Sequence, residues 1–231
     1  MDKNMIPNFL IIPSMTCQSS CSYCFGPRQG PVISPEMVAR TVKFIEDISA
    51  VNDHDPINIT FHGGEPLMAG HSILNDLLTR LSDAFRNKKL NFGIQSNLWL
   101  LDDKFCELFK QYNVRVGTSL DGPKEITDAQ RGEGYFEKTM AGINKLRSYD
   151  MDASCIATFT RFGMARWKEA FHFFVSEKLD FSIHAALPKL NDKNTIFSPG
   201  SSAFGKFLCD MLDHYIEFRR EISVSTLDQI I

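Results

Sequence analysis

The chain has 231 residues, 43% of them apolar and 23% charged, with a net charge of −3. That length allows one large domain or two small ones, and the apolar fraction is enough to bury a core. The slight negative balance argues against nucleic acid as a partner, and no apolar run approaches the ~18 residues that cross a bilayer, so no membrane partner is expected. The opening stretch MIPNFLIIP is too short and too proline-broken for a secretory signal. A cytoplasmic protein is therefore expected, where clustered cysteines bind metal or do chemistry rather than form structural disulfides.

Hydrophobic periodicity divides the chain into alternating strands and helices. NFLIIPSM (8–15) reads as a first strand. SPEMVARTVKFIEDIS (34–49) has a Ser-Pro start and helical spacing at Met37, Val38, Thr41, Val42 and Ile45. PINITFHGGEP (56–66) is a strand running into a Gly-Gly turn, followed by the helix HSILNDLLTRLSDAF (71–85). LNFGIQSN (90–97) is a third strand and LDDKFCELFKQY (101–112) a third helix. VRVGTSLDGP (114–123) is a strand ending in an Asp-Gly-Pro turn. FEKTMAGINKLRS (136–148), MDASCIATF (151–159), ARWKEAFHFFVSEK (165–178), LDFSIHAALP (179–188) and SAFGKFLCDMLDHYIEFRR (202–220) continue as helix, strand, helix, strand and helix. Six strands alternating with helices imply an α/β fold of parallel strands joined by right-handed crossovers. An open doubly wound sheet and a barrel or partial barrel both fit. In either, functional residues gather at the carboxyl ends of the strands. The unusual motifs all fall there: the cysteines after the first strand, then HGGEP, QSN, SLDGP and ALP.

Cys17, Cys21 and Cys24 lie within eight residues of one another. Four readings are open: incidental core thiols; a zinc site completed by His62, His54 or a distant thiol; a redox pair at Cys21 and Cys24; and an iron–sulfur cluster held by three thiolates, which leaves one iron open to a small molecule. Gly63 and Gly64 permit a close backbone approach to a ligand, and Glu65 offers a carboxylate to a cationic group. Gln95 and Asn97 stand two apart at a strand end and so share a face, either lining a polar pocket or capping the following loop. Asp121 suits the Asp-Gly turn. Cys106, Cys155 and Cys209 read as small core residues, as do Trp167, Phe171, Phe173 and Phe174 at helical spacing. His184 either faces a cavity, where it touches substrate, or is a partly buried core histidine.

The C-x-x-x-C-x-x-C spacing with Tyr23 before the last cysteine, GGEP at 63–66, SLDGP at 119–123 and Arg131 shortly after together resemble the radical S-adenosylmethionine (radical SAM) family. Within it they resemble the branch of anaerobic sulfatase maturases and related SPASM-like, peptide-modifying enzymes. The likeness runs from about residue 8 to about residue 190. It implies a (β/α)6 partial TIM barrel, with Cys17, Cys21 and Cys24 as ligands of a [4Fe–4S] cluster. It implies S-adenosyl-L-methionine (SAM) held by Gly63, Gly64, Glu65, Gln95, Asn97, Ser119 (ribose) and Arg131 (carboxylate or ribose), with Tyr23 and Leu187 holding the adenine. It further implies an oxidoreductase of maturase type that abstracts hydrogen from a peptide or protein side chain, and a reductant such as flavodoxin or ferredoxin. A radical SAM enzyme acting on a small molecule and a non-catalytic zinc-stabilised binding protein are the alternatives. The expected organisation is a core over 1–195 and, over 196–231, a helix that begins a C-terminal extension.

Overall fold

In the computed structural model, residues 7–51, 56–188 and 197–231 are described. His54, considered above as a zinc ligand, and the expected boundary at 195/196 lie outside them. Six strands occur in one sheet in chain order: β1 (Asn8–Ser14), β2 (Ile57–Gly63), β3 (Leu90–Gln95), β4 (Arg115–Ser119), β5 (Ala153–Phe159) and β6 (Phe181–Ala185). β1 pairs with β2, β2 with β3, β3 with β4 and β5 with β6, all parallel. The expected six-stranded (β/α)6 alternation is thus present. The chain folds as two compact units. One comprises residues 1–18, 26–117 and 145–151; the other comprises 19–25, 118–144 and 152–231.

In the first unit β2 and β3 alternate. Ile57, Ile59 and Phe61 of β2 and Phe92 and Ile94 of β3 are buried. Asn58, Thr60 and His62, with Asn91, Gly93 and Gln95, occupy the other, half-buried face. A one-residue slip would exchange these faces, so the pattern sets the register. On the polar face Asn91 donates to Asn58 and Asn58 to Asn8, each at 2.8 Å, a side-chain ladder across three strands. The helices α1 (Pro35–Val51) and α2 (His71–Ala84) each bury one stripe. In α2 the stripe is Leu74, Leu77, Leu78 and Leu81, each contributing about 1.5–3 kcal/mol of burial. In α1 it is Val38, Val42 and Ile45, while Met37, expected inside, is 47% exposed. The helix α3 (Asp103–Gln111) starts where Asp102 accepts from the Phe105 amide at 2.9 Å, a side-chain N-cap.

The second unit repeats the logic. Ala153, Cys155, Ala157 and Phe159 of β5 and Phe181 and Ile183 of β6 are buried. Thr158 and His184, in register with each other, lie on the other face. The chain between β4 and β5 forms two helices where periodicity suggested one: α4 (Lys124–Arg131) and α5 (Tyr135–Arg147). Gly132, at φ +104°, closes α4 in a conformation that other residues rarely adopt. After β5 comes the short α6 (Arg161–Ala165), capped by the Thr160 hydroxyl, which accepts from the Phe162 and Gly163 amides. It is followed by α7 (Trp167–Glu177), α8 (Ser201–Phe218) and α9 (Ser225–Asp228). Phe171 and Phe174 of α7 are core as expected. Of the three remaining cysteines, Cys106 and Cys155 are buried, but Cys209 is exposed on α8 and is not the core residue its spacing suggested. No helix among the described residues is long and apolar enough to cross a membrane.

Candidate functional site

In the first unit the turn after β2 is built against the start of the cysteine loop. A Cβ on Gly63, which has φ +127°, would meet the Ser14 carbonyl oxygen at 2.4 Å. One on Gly64 would meet the carbonyl oxygens of Met15 and Thr16 at 2.4 and 2.5 Å. The Gly64 and Glu65 amides donate to the Ser14 and Thr16 carbonyls at 3.0 and 2.8 Å. The glycines were expected to make room for a ligand. What needs their missing side chains here is the protein's own backbone as it leaves β1.

Glu65 is 1% exposed. Its Oε1 accepts from the Leu67 amide at 3.0 Å and the Ser96 hydroxyl at 2.7 Å, and its Oε2 from the Asn97 amide at 2.8 Å. Burial pushes its carboxyl above the usual range, and those three bonds oppose the rise. An ionised carboxylate offers about four acceptor positions, so one place on Oε2 remains. Asn97 is the pivot: its side-chain amide donates to the Cys17 sulfur at 3.9 Å, and its carbonyl accepts from the Trp99 amide at 3.0 Å and from Gln18 at 3.4 Å. Gln95 and Asn97 do not share a strand face as expected. β3 ends at Gln95, whose side-chain amide oxygen lies against Gly117, and Asn97 belongs to the buried turn beyond it.

The second unit holds Cys21, Tyr23 and Cys24, and its centre is Asp121. This buried carboxylate accepts from the Tyr23 hydroxyl at 3.0 Å, Gln130 at 2.7 Å, Arg131 at 2.7 Å and the Thr158 amide at 2.9 Å. Only its backbone amide, bonded to the Thr127 hydroxyl at 3.2 Å, serves the turn to which its sequence assigned it. Arg131 is 5% exposed. Its guanidinium carbon lies 5.5 Å from the Tyr23 ring centre and 5.2 Å from that of Tyr135, within cation–π range of both. Burial raises the Tyr23 hydroxyl well above its ordinary pKa. Burial also raises the Cys21 thiol, against the pull of the Arg131 charge. Ser119 ends β4, half-buried, and Leu187, just past β6, is 68% exposed. Of the functional positions, sequence reasoning missed Ser96, Gln130, Thr158 and the carboxylate role of Asp121. The one available signal was an acid just before a short helix and a base ten residues later at its last position.

A [4Fe–4S] cluster needs thiolates, and donors to sulfur tune it. All six cysteines are thiols. Hydrogen-bonding groups already attend two of the three loop sulfurs: the Asn97 amide at Cys17 and the Ser19 hydroxyl, 3.6 Å from Cys21. Among the described residues no three His, Cys, Asp or Glu side chains form a preassembled metal cage. The donor set itself, three cysteines on one loop, fits such a cluster.

The radical SAM superfamily model matches residues 11–174. The chain is 39% identical over 221 residues to an uncharacterised protein of Methanothermobacter thermautotrophicus, covering 95% of this chain and 83% of that one. It is 26% identical to the serine-type anaerobic sulfatase-maturating enzyme of Bacteroides thetaiotaomicron, covering 87% of this chain and 55% of the enzyme. The structure of native anSMEcpe with bound AdoMet and Cp18Cys peptide superposes with a TM-score of 0.85 at 22% identity, over 95% of this chain and 63% of that one. Streptococcus suis SuiB bound to S-adenosylmethionine superposes at 0.67 and 18%, over 95% and 47%. The chain thus spans about half the length of the sulfatase-maturating relative and shares the fold of both structures. With the three-cysteine loop at the end of β1 and a match over most of its strands, the chain belongs to the radical SAM superfamily, whose cofactors are a [4Fe–4S] cluster and SAM.

Proposed function

We propose that this chain carries the SAM-cleaving core of an enzyme that oxidises a peptide or protein side chain. The observation that carries the reading is the linkage of Glu65 to Cys17 through Asn97. It ties a buried carboxylate with one acceptor place left to the first residue of the cysteine loop. Cys17, Cys21 and Cys24 would hold the cluster. When bound, it supplies the electron that cleaves SAM to a hydrogen-abstracting radical. Glu65 would accept from the ammonium group of SAM, with Asn97 beside it. Gly63 and Gly64 would let the turn carrying Glu65 form, Ser119 would hold the ribose, and Tyr23 and Leu187 the adenine. His184, on the open face of β6 with its pKa lowered by burial, would face substrate. A peptide substrate is supported by the sulfatase-maturating relatives. A flavodoxin- or ferredoxin-type donor would supply the electron.

Anaerobic purification, iron and sulfide analysis, and incubation with SAM and dithionite test this. About four irons per chain and formation of 5′-deoxyadenosine are expected. A colourless zinc protein, or an iron protein inert toward SAM, would overturn the reading.

A further inference from the structure

Between Cys21 and Cys24 the chain is hydrogen-bonded at two residues, Ser22 to the end of α4 and Tyr23 to the turn before it, and Ser20 packs just ahead of them. Ser20 lies against Gly132, where a Cβ would meet its hydroxyl oxygen at 2.3 Å. Ser22 donates twice to the Gln130 carbonyl, from its amide at 2.9 Å and its hydroxyl at 2.8 Å. Tyr23 donates its hydroxyl to Asp121. Gln130 and Arg131 are locked in turn, because both donate to that carboxylate. Gln130 also donates to the Thr158 carbonyl at 3.0 Å and accepts from the Thr160 hydroxyl. The anchors are buried: Asp121, Gln130, Arg131 and Thr160 are all 5% exposed or less.

We propose that Asp121, Gln130 and Arg131 are positioning residues that clamp the Ser20–Cys24 segment and so set where Cys21 presents its sulfur. The proposal rests on the functional reading above, and it gives Arg131 a role on the protein's own loop. An ion pair nearly removed from water stabilises little by itself, but it holds one geometry, since separating its partners strands a buried charge. The guanidinium, placed between two tyrosine rings, makes the same demand on Tyr23. The hydrogen bonds of Ser22 and Tyr23, with Ser20 packed against Gly132, leave the Cys21 backbone little freedom before any cluster arrives.

The test uses the iron-free protein first. Tyr23→Phe removes one hydroxyl bond and keeps the ring; Ser22→Ala removes a second and keeps the backbone bond to Gln130; the double variant removes both hydroxyl bonds. Alkylation of each thiol by iodoacetamide at one fixed pH, followed by mass spectrometry, reads how often each site opens. Each single variant should speed Cys21 alkylation roughly fivefold, the effect of losing one ordinary hydrogen bond, and the double variant more. Cys106 and Cys155, buried elsewhere, should keep their rates. After reconstitution, the electron paramagnetic resonance spectrum of the reduced double variant should differ from that of the parent. An unchanged Cys21 rate, equal acceleration at Cys106 and Cys155, or an unchanged spectrum would overturn the proposal. Failure of the parent protein to take up iron would instead overturn the functional reading, and the alkylation result would stand apart from it.

Discussion

The Glu65 Oε2 accepts from the Asn97 backbone amide at 2.8 Å, and the same residue's side chain reaches the Cys17 sulfur at 3.9 Å. A charge at the end of β2 is thereby connected to the cysteine loop through one residue of the turn after β3. All three partners of the Glu65 carboxylate are donors. Glu65→Gln replaces one acceptor oxygen by a second donor in that pocket. It should cost about 1–3 kcal/mol, lowering Tm by roughly 2–12 °C for a chain of this size, without SAM present. Because burial raises the folded pKa, this carboxyl's stabilising contribution is full below the ordinary carboxyl pKa and is lost as pH rises through the raised value. The Tm difference between parent and variant should therefore be larger at pH 4 than at pH 7. Thermal melts at both pH values decide it; identical curves would show that these three bonds do not support the fold.

Gly64→Ala should be poorly tolerated. Its Cβ would stand 2.4 and 2.5 Å from backbone oxygens that cannot move without shifting the exit of β1. A loss above ~3 kcal/mol is expected, in the range of strained or overpacked sites. Gly205→Ala, on α8 with nothing within 4 Å, is the control and should be neutral or stabilising by about 0.5–1 kcal/mol. Urea melts of the two variants test the contrast.

His172 and His214, on α7 and α8, have ring centres 5.2 Å apart, and the His214 Nε2 is buried without a hydrogen-bond partner. Burial, the nearby His172 and Lys168 all lower the His214 pKa, opposed by Glu217. The unfolded chain then takes up this proton first as pH falls. Stability from this site is present above about pH 6.5 and lost as pH falls through the depressed value. Tm should drop between pH 7.5 and pH 5.5, and His214→Gln should flatten that drop. Hydrogen exchange on α8 would locate it; equal slopes in parent and variant would exclude the histidine pair as the cause.

Replacing any one of Cys17, Cys21 or Cys24 with alanine should empty most of the iron and abolish SAM cleavage, since three ligands leave none to spare. Cys209→Ala, exposed on α8, should retain iron and melt within about 0.5 kcal/mol of the parent. Iron analysis of the four variants is the measurement.

The strand–helix order was legible in the chain, because apolar runs and helical stripes are local patterns, but the one strand-face expectation, Gln95 with Asn97, failed because β3 ends at Gln95. The cysteine loop was legible too, since its ligands sit on one short stretch. The split of the chain between β4 and β5 into α4 and α5 was less visible. Gly132 was there to mark it, but α4 is only 8 residues long and almost wholly polar, so it offers few apolar positions to read.

The sequence by itself determined which chemistry is available: three thiols, a carboxylate after Gly63 and Gly64, and an acid and a base at Asp121 and Arg131. Only the tertiary structure decided what these groups do to one another. Gly64 serves the backbone of Met15 and Thr16, Glu65 is bound by three donors, and Asp121 gathers Tyr23, Gln130, Arg131 and Thr158. Those partners are separated by up to 98 residues along the chain. A buried charge is stable only when fully satisfied, and which donors satisfy it depends on how the strand ends are brought together, which local pattern does not encode.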